Sequence, residues 1–311
     1  WTPKPSALLA ELASEAFEPD EFRVFEGGIE TGRAFAELPF DHLLFTGSTR
    51  VAKEVSNSAA KTLTPLTLEL GGKSPALVCP DANLKRAAER IVFGKLANAG
   101  QICIAPDYVF VERAKFHDFI EMLQTYIKKA YPRLNNNPDY TSIISADHFS
   151  RLNRMIKEAR EDGAEIISIN PDGETLEPSA RMIPPTLILR PNPTLSVMQE
   201  EIFGPILPVL SYEKIEEAIE FVQHRARPLA LYLFTEKTRE RERILRETVS
   251  GGVAVNEVLF HCVCETLPFG GVGASGMGSY HGQAGFDTFS HLKPILIQPR
   301  FNFNFFLMPP I

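Results

Sequence analysis

The chain predicts an α/β fold. Three observations carry the prediction. Apolar positions at helical spacing alternate with short apolar runs, Gly and Pro mark the junctions between them, and the connections are long enough for helical crossovers between parallel strands. The 311 residues suffice for two domains, or one large domain with appendages, and 44% apolar content supplies the buried cores.

From the start, Leu8, Leu9, Leu12 and Ala16 share a helix face, and 22–25 reads as a short strand ending at Gly27-Gly28. A helix over about 31–38 leads to a strand at 42–45, the turn Thr46-Gly47-Ser48-Thr49, and a helix through Val51, Val55, Ala59 and Ala60. Strand, glycine turn and helix in that order form a dinucleotide-domain cadence. The free N–H groups at such a helix start favour an anion, Gly47 admits a phosphate, and Ser48 or Thr49 offers a hydroxyl. The spacing G-x-G-x-x-G is absent, so an N-cap by Ser48 or Thr49 stands beside the phosphate reading.

The next strand, 66–70, closes at Gly71-Gly72-Lys73-Ser74-Pro75, and Glu69 interrupts it near its end. A carboxylate there is either paired with a cation or desolvated and raised in pKa, which suits a general base. A strand at 75–79, with Cys79 in its core, precedes a helix over 82–97 patterned by Leu84, Ala88, Ile91, Val92 and Leu96. The loop Asn98-Ala99-Gly100-Gln101 then delivers Cys103 on a connector to a strand at 108–111. A thiol displayed on a connector is a nucleophile candidate; an inert core residue is the alternative.

A helix over 115–130 buries Phe116, Phe119, Ile120, Leu123 and Ile127, another runs from about 146 to Gly163, and a strand at 165–169 is expected to pair in parallel. After the surface turn Pro171-Asp172-Gly173, 184–189 returns to the sheet. In Glu200-Glu201-Ile202-Phe203-Gly204-Pro205, a carboxylate can meet a sugar hydroxyl and a ring can meet a flat heterocycle, or Phe203 is core and Glu200 a solvated charge. A helix at 215–226, a strand at 229–234, a charged helix with a solvated face at 237–248 and a strand at 252–255 add two more α/β pairs.

His261 lies just past a strand end, where open α/β sheets place ligands; it shapes a substrate pocket or is a hydrogen-bonded structural residue. The glycine-dense 268–278 lacks a strand-then-helix frame and reads as a close-packed loop. The stretch 293–298 resembles an edge strand open to pairing within the chain or with another subunit.

A net charge of −7 without a basic run disfavours nucleic acid and anionic membrane surfaces as partners. Four cysteines are too few for a disulfide scaffold, and Cys262 and Cys264 are spaced as alternate strand residues, so reduced thiols and a cytoplasmic location are expected. Trp1-Thr2-Pro3-Lys4-Pro5 runs into an amphipathic helix with no secretory pattern. The apolar 301–311 is too short for a membrane span and reads as a packing tail.

Taken together, Phe45-Thr46-Gly47-Ser48-Thr49, Leu68-Glu69-Leu70-Gly71-Gly72-Lys73-Ser74-Pro75, Asn98-Ala99-Gly100-Gln101-Ile102-Cys103, Glu201-Ile202-Phe203-Gly204-Pro205 and Pro268-Phe269-Gly270-Gly271-Val272-Gly273 resemble the aldehyde dehydrogenase superfamily. Gly278-Ser279-Tyr280-His281-Gly282 and Phe289-Ser290-His291 are most similar to its class 3-like branch, which includes bacterial coniferyl aldehyde dehydrogenases.

The resemblance implies a partial Rossmann-type cofactor domain over 1–70, a parallel α/β catalytic domain over 71–285, and an oligomerisation strand and tail over 286–311. It implies that Cys103 attacks the aldehyde to give a thiohemiacetal and then a thioester, with Glu69 as the base for the thiol or the hydrolytic water. It implies cofactor contacts, with NAD or NADP, from Thr46, Gly47, Ser48, Leu70, Glu201 and Phe203, a pocket contact from His261, no metal, and a homodimer.

Two departures from the family pattern stand out. Ala52 replaces the usual Gly of the turn. A segment carrying the oxyanion-hole Asn, and a Lys and an acid that contact the adenosine ribose, precede Trp1 in the family. The resemblance therefore implies NAD(P)-dependent oxidation of an aldehyde to an acid; the aromatic residues near His261 point to an aromatic or long aliphatic substrate, or are explained as core packing. A cofactor-independent ester or thioester hydrolase using Cys103 and Glu69, and a non-catalytic remnant, are the alternatives.

Overall fold

The structure, a computed structural model, describes residues 2–301. Its elements in chain order are α1 (Pro3–Ala16), α2 (Ile29–Ala36), β1 (Leu43–Thr46), α3 (Thr49–Ala60), β2 (Leu66–Glu69), β3 (Pro75–Val78), α4 (Leu84–Leu96), β4 (Tyr108–Glu112), α5 (Phe116–Ala130), α6 (Ala146–Glu161), β5 (Glu165–Ser168), β6 (Thr186–Leu189), α7 (Ser196–Gln199), β7 (Ile206–Tyr212), α8 (Ile215–Gln223), β8 (Ala230–Phe234), α9 (Thr238–Glu247), β9 (Gly252–Val255), β10 (Gly276–Met277) and α10 (Gly282–Thr288).

The strands form two sheets. The larger has seven strands in the order β5-β6-β7-β4-β3-β8-β9, and the smaller has β1-β2-β10. The core of the larger sheet is sealed on one face by α4 and α5, through Ala88, Ile91, Leu96, Phe119 and Leu123, against Val109, Val209 and Tyr232. On the other, Leu152, Met155 and Ala159 of α6 and Ala218, Ile219 and Val222 of α8 pack on Leu77, Phe110 and Leu231. Strands buried on both faces read as continuous apolar runs, as β3, β6 and β8 do here.

Three expectations are corrected and one strand is added. Residues 22–25 form no strand; Phe22 and Phe25 are exposed and no neighbouring strand offers a ladder. β5 pairs with β6 antiparallel, because 169–185 contains no crossover α-helix to reverse the direction of travel. Cys262 lies in the 3₁₀ turn Phe260–Val263 and Cys264 follows it, so neither is on a strand. The longest strand, β7, lies between β6 and β4 and is absent from the sequence reading; Pro208 in the middle of its run argues against an interior strand, yet pairs opposite Ile188.

The stretch 293–298 is exposed and joins no ladder among the described residues. The packing tail expected over 301–311 lies outside the described residues beyond Phe301, which is exposed, as does Trp1. Among the described residues no helix is long and apolar enough to cross a membrane.

Candidate active site

Glu69 ends the central strand of the small sheet, in register with Thr46 on one side and Gly276 on the other. The backbone there is stitched to the turn that follows β1: Gly47 N donates to Glu69 O at 3.0 Å, and Leu70 N donates to Ser275 O at 3.1 Å. Ser48 caps α3, its hydroxyl accepting from Val51 N, and Thr49 Oγ1 donates to Ala274 O at 2.9 Å. The N-cap reading of this turn is therefore realised, and the first turn of α3 still presents N–H groups that a helix cannot satisfy internally. Leu70 is core, packed with Leu68 and Ala52, whose methyl group is accommodated between α3 and the strands.

Both carboxylate oxygens of Glu69 are buried without a hydrogen-bond partner among the described residues, and the residue is 3% exposed. Such a group is costly when charged. Burial accordingly raises its pKa to about 7.

Cys103 lies between α4 and β4, half-buried against the core of the large sheet. Its loop is held in an unusual backbone conformation, with Asn98 at φ 51°, Ala99 at φ 52° and Gly100 at φ 74°. Left-handed non-glycine residues persist where the surroundings over-determine them. Here Gln101 does so: its amide donates to Asn98 O and Ser142 O, both at 3.1 Å, and accepts from Ile144 N at 2.9 Å.

A β-carbon at Gly100 would collide with Gly204 O, so the thiol loop presses directly on the turn that carries Glu201 and Phe203. Burial pushes the Cys103 thiol up to about 11, with the charges of Glu201 and Glu69 acting in the same direction. At neutral pH it is a thiol and requires a base at the moment of attack.

Glu201 is partly buried and raised to about 7, first by desolvation and then by Asp107, while a hydrogen bond from the Gly72 amide favours its charged form. A side chain at Gly71 would overlap its carboxylate. Phe203 has φ 51° and its ring lies 6.4 Å from that of His148. Glu201 lines a cleft of about 520 Å³ shared with Thr49, Gly71, Gly72, Arg225 and Ala274. A helix start able to meet an anion and a partly buried carboxylate able to accept from hydroxyls thus face one space, a set of groups that fits a dinucleotide. The structure brings Thr46 and Gly47 beside Glu69 and places Glu69 and Glu201 close enough to Cys103 for their charges to act on it, while Phe203 follows Glu201 in the turn with its ring toward His148.

His261 stands to one side. Its ring is 6.0 Å from Tyr232 and 6.1 Å from Phe269, both ring nitrogens are buried without partners among the described residues, and burial lowers its pKa. Tyr232 hydrogen-bonds Ile104 O, beside Cys103. Phe269 meets Tyr280 edge-on at 5.9 Å, so that Tyr232, His261, Phe269 and Tyr280 form one aromatic cluster.

The sequence reading passes over Lys73, Lys95, Asp107, Arg151 and Tyr280. Lys95 carries a legible signal, since it falls on the apolar face of α4 beside Ile91, Val92 and Leu96. It is 2% exposed, its Nζ has no partner among the described residues, and burial lowers its pKa to about 8. Lys95→Met removes an uncompensated buried charge at similar volume and is expected to stabilise the fold at pH 7 by on the order of 1–3 kcal/mol. Because the folded-state pKa is depressed, the gain is present below about 8 and fades as pH rises toward 10.5, the value in solution. A lower melting temperature for the variant at pH 7 would contradict this.

The chain belongs to the aldehyde dehydrogenase family, whose sequence profile matches residues 1–295. It is 48% identical to the probable coniferyl aldehyde dehydrogenase of Caulobacter vibrioides over 96% of this chain and 62% of that protein. It is 49% identical to the coniferyl aldehyde dehydrogenase of a Pseudomonas species over 96% of this chain and 62% of that protein. Among solved structures, Staphylococcus aureus AldH in its substrate-bound state superposes with a TM-score of 0.90 at 42% identity, covering 97% of this chain and 65% of that one. The aldehyde dehydrogenase of Mycobacterium tuberculosis complexed with NAD+ superposes with a TM-score of 0.80 at 29% identity, over 89% of this chain and 57% of that one. The chain thus spans somewhat less than two thirds of the length of these relatives.

Proposed function

We propose that the protein oxidises an aldehyde to a carboxylic acid with NAD or NADP, using Cys103 as nucleophile and Glu69 as general base. The observation that carries this reading is the pairing of a half-buried thiol with a buried carboxylate, unpartnered among the described residues, whose pKa of about 7 suits proton transfer near neutrality.

Glu69 takes the thiol proton as Cys103 Sγ bonds to the carbonyl carbon, giving a thiohemiacetal. When bound, a nicotinamide cofactor supplies the hydride acceptor. Thr46, Gly47, Ser48, Leu70, Glu201 and Phe203 are the residues assigned to hold it. In the closing step Glu69, having passed its first proton to bulk water, draws a proton from the water whose oxygen bonds to the thioester carbonyl carbon, and the carbon–sulfur bond breaks to free the acid and Cys103.

The aromatic cluster of Tyr232, His261, Phe269 and Tyr280 supports an aromatic aldehyde, with His261 as a pocket residue, and the identity to coniferyl aldehyde dehydrogenases supports the same class. A cytoplasmic homodimer, paired through 293–298, completes the reading.

The test is direct. Protein mixed with coniferaldehyde and NAD or NADP should raise the absorbance of the reduced nicotinamide. No increase with either cofactor across aromatic and aliphatic aldehydes would refute the reading for this chain.

A further inference from the structure

The three segments that carry Glu69, Cys103 and Glu201 come from distant parts of the chain, and one buried ion pair touches all three. Lys73 lies four residues after Glu69, and Asp107 four residues after Cys103. Lys73 Nζ forms an ion pair with Asp107 Oδ1, the two side chains being only 9% and 4% exposed. The remaining donors of the ammonium go to Val197 O at 2.8 Å and Glu200 O at 2.9 Å. An ammonium has three donors, and all three are used.

The second oxygen of Asp107 accepts from Ile202 N at 2.9 Å, and the Asp107 amide donates to Ser74 O at 2.7 Å. Arg151 closes the far side, donating to Glu201 O at 3.0 Å and Ile202 O at 2.6 Å. Charged side chains therefore grip the backbone on both sides of Glu201, just before Phe203 with its left-handed φ.

We infer that the Lys73–Asp107 pair is a positioning device: it staples the Glu69 loop, the Cys103 loop and the Glu201 turn into one register, so that base, thiol and cofactor-side carboxylate keep fixed separations. The inference rests on the functional reading above. A buried ion pair is weak evidence for stability, since replacing it by uncharged groups is often tolerated. Its value here lies in geometry, because misplacement of reacting groups by about 1 Å can slow a reaction on the order of 100-fold.

The double variant Lys73→Met with Asp107→Asn tests this. It removes both charges of the pair together, so their opposite effects on the buried Lys95 are lost at once, and the Asn carbonyl can still accept from Ile202 N. Three measurements are made on it: thermal melting, Cys103-dependent cleavage of p-nitrophenyl acetate, which needs no cofactor, and iodoacetamide labelling of Cys103.

The staple predicts a folded double variant whose kcat falls at least tenfold with KM within about twofold of wild type, and whose Cys103 labels at least threefold faster. A merely structural pair would lower the melting temperature without this division between kcat and KM. A folded double variant with wild-type kcat and labelling overturns the inference.

If the double variant does not fold, Lys73→Arg decides: the charge is kept but the single-point ammonium geometry is lost. A fall in kcat of at least threefold supports the staple, and wild-type kcat overturns it. If the wild-type chain neither reduces NAD or NADP with an aldehyde nor cleaves the ester through Cys103, the functional reading fails on its own account. The staple is then judged by labelling alone, where an unchanged rate overturns it.

Discussion

Cys103→Ala is expected to abolish both aldehyde oxidation and ester cleavage, with a loss on the order of 10⁴-fold or more. The reason is chemical rather than architectural. The loop around the thiol is held by the Gln101 amide and by contact with the Gly204 backbone, neither of which involves the sulfur. Removing one half-buried sulfur atom should cost about 1 kcal/mol of stability, too little to unfold the domain. The neighbouring Cys262, on the turn Phe260–Val263, is the thiol whose substitution for Cys103 is excluded if activity is lost. Reduced-nicotinamide absorbance, p-nitrophenol release and a melting curve on the same preparation check all three statements. Retained dehydrogenase activity in a folded variant would remove Cys103 from the mechanism.

Glu69→Gln should slow turnover by roughly 10²–10⁴-fold and flatten its pH dependence. In the wild type the carboxyl is protonated below pH 7 and becomes a base as pH rises through about 7, so the rate climbs through that region. Gln has no such transition, and the rising limb should be lost. Glu201 also titrates near 7, so a limb that survives in Glu69→Gln would assign it to Glu201 instead.

Stability should move the other way. A carboxyl with pKa about 7 folded and 4.5 in solution binds more protons in the folded state between those values, so its burial weakens the fold as pH rises from 4.5 to 7 and fully above 7. Glu69→Gln, which stays neutral, should therefore melt at or above the wild-type temperature at pH 8 while being nearly inactive. A variant that is both less active and much less stable would make Glu69 a structural residue.

The alternation of helices and strands was readable from the chain because each strand of the large sheet is a short apolar run and each helix carries an apolar stripe. What escaped were features set by partners distant in sequence. The direction of β5 depends on the absence of a helix between it and β6, and β7 is disguised by Pro208, whose missing N–H is tolerated within the sheet. The strand at 22–25 failed because alternating apolar residues need a neighbouring strand before they form one.

At the site, Glu69 and Cys103 stood out individually, since each interrupts its surroundings: a charge in an apolar strand, and a thiol on a connector. The relation between them could not be read locally. Lys73 and Asp107 look like ordinary surface charges in the sequence, and only the fold brings them together beneath the Glu201 turn. Buried ion pairs between distant residues leave no periodic trace, which is why Lys95, inside a helical stripe, was legible in principle and Lys73 was not.

The central claim is that an acyl group derived from the substrate resides on Cys103 and is released by water that Glu69 activates. Peptide mass spectrometry on Glu69→Gln, quenched during turnover of an aromatic aldehyde with NAD or NADP, tests it most directly. The account predicts an accumulated acyl adduct on the peptide carrying Cys103, absent from the Cys103→Ala control. An adduct on Cys262 or Cys264, or turnover without any adduct on Cys103, would contradict it.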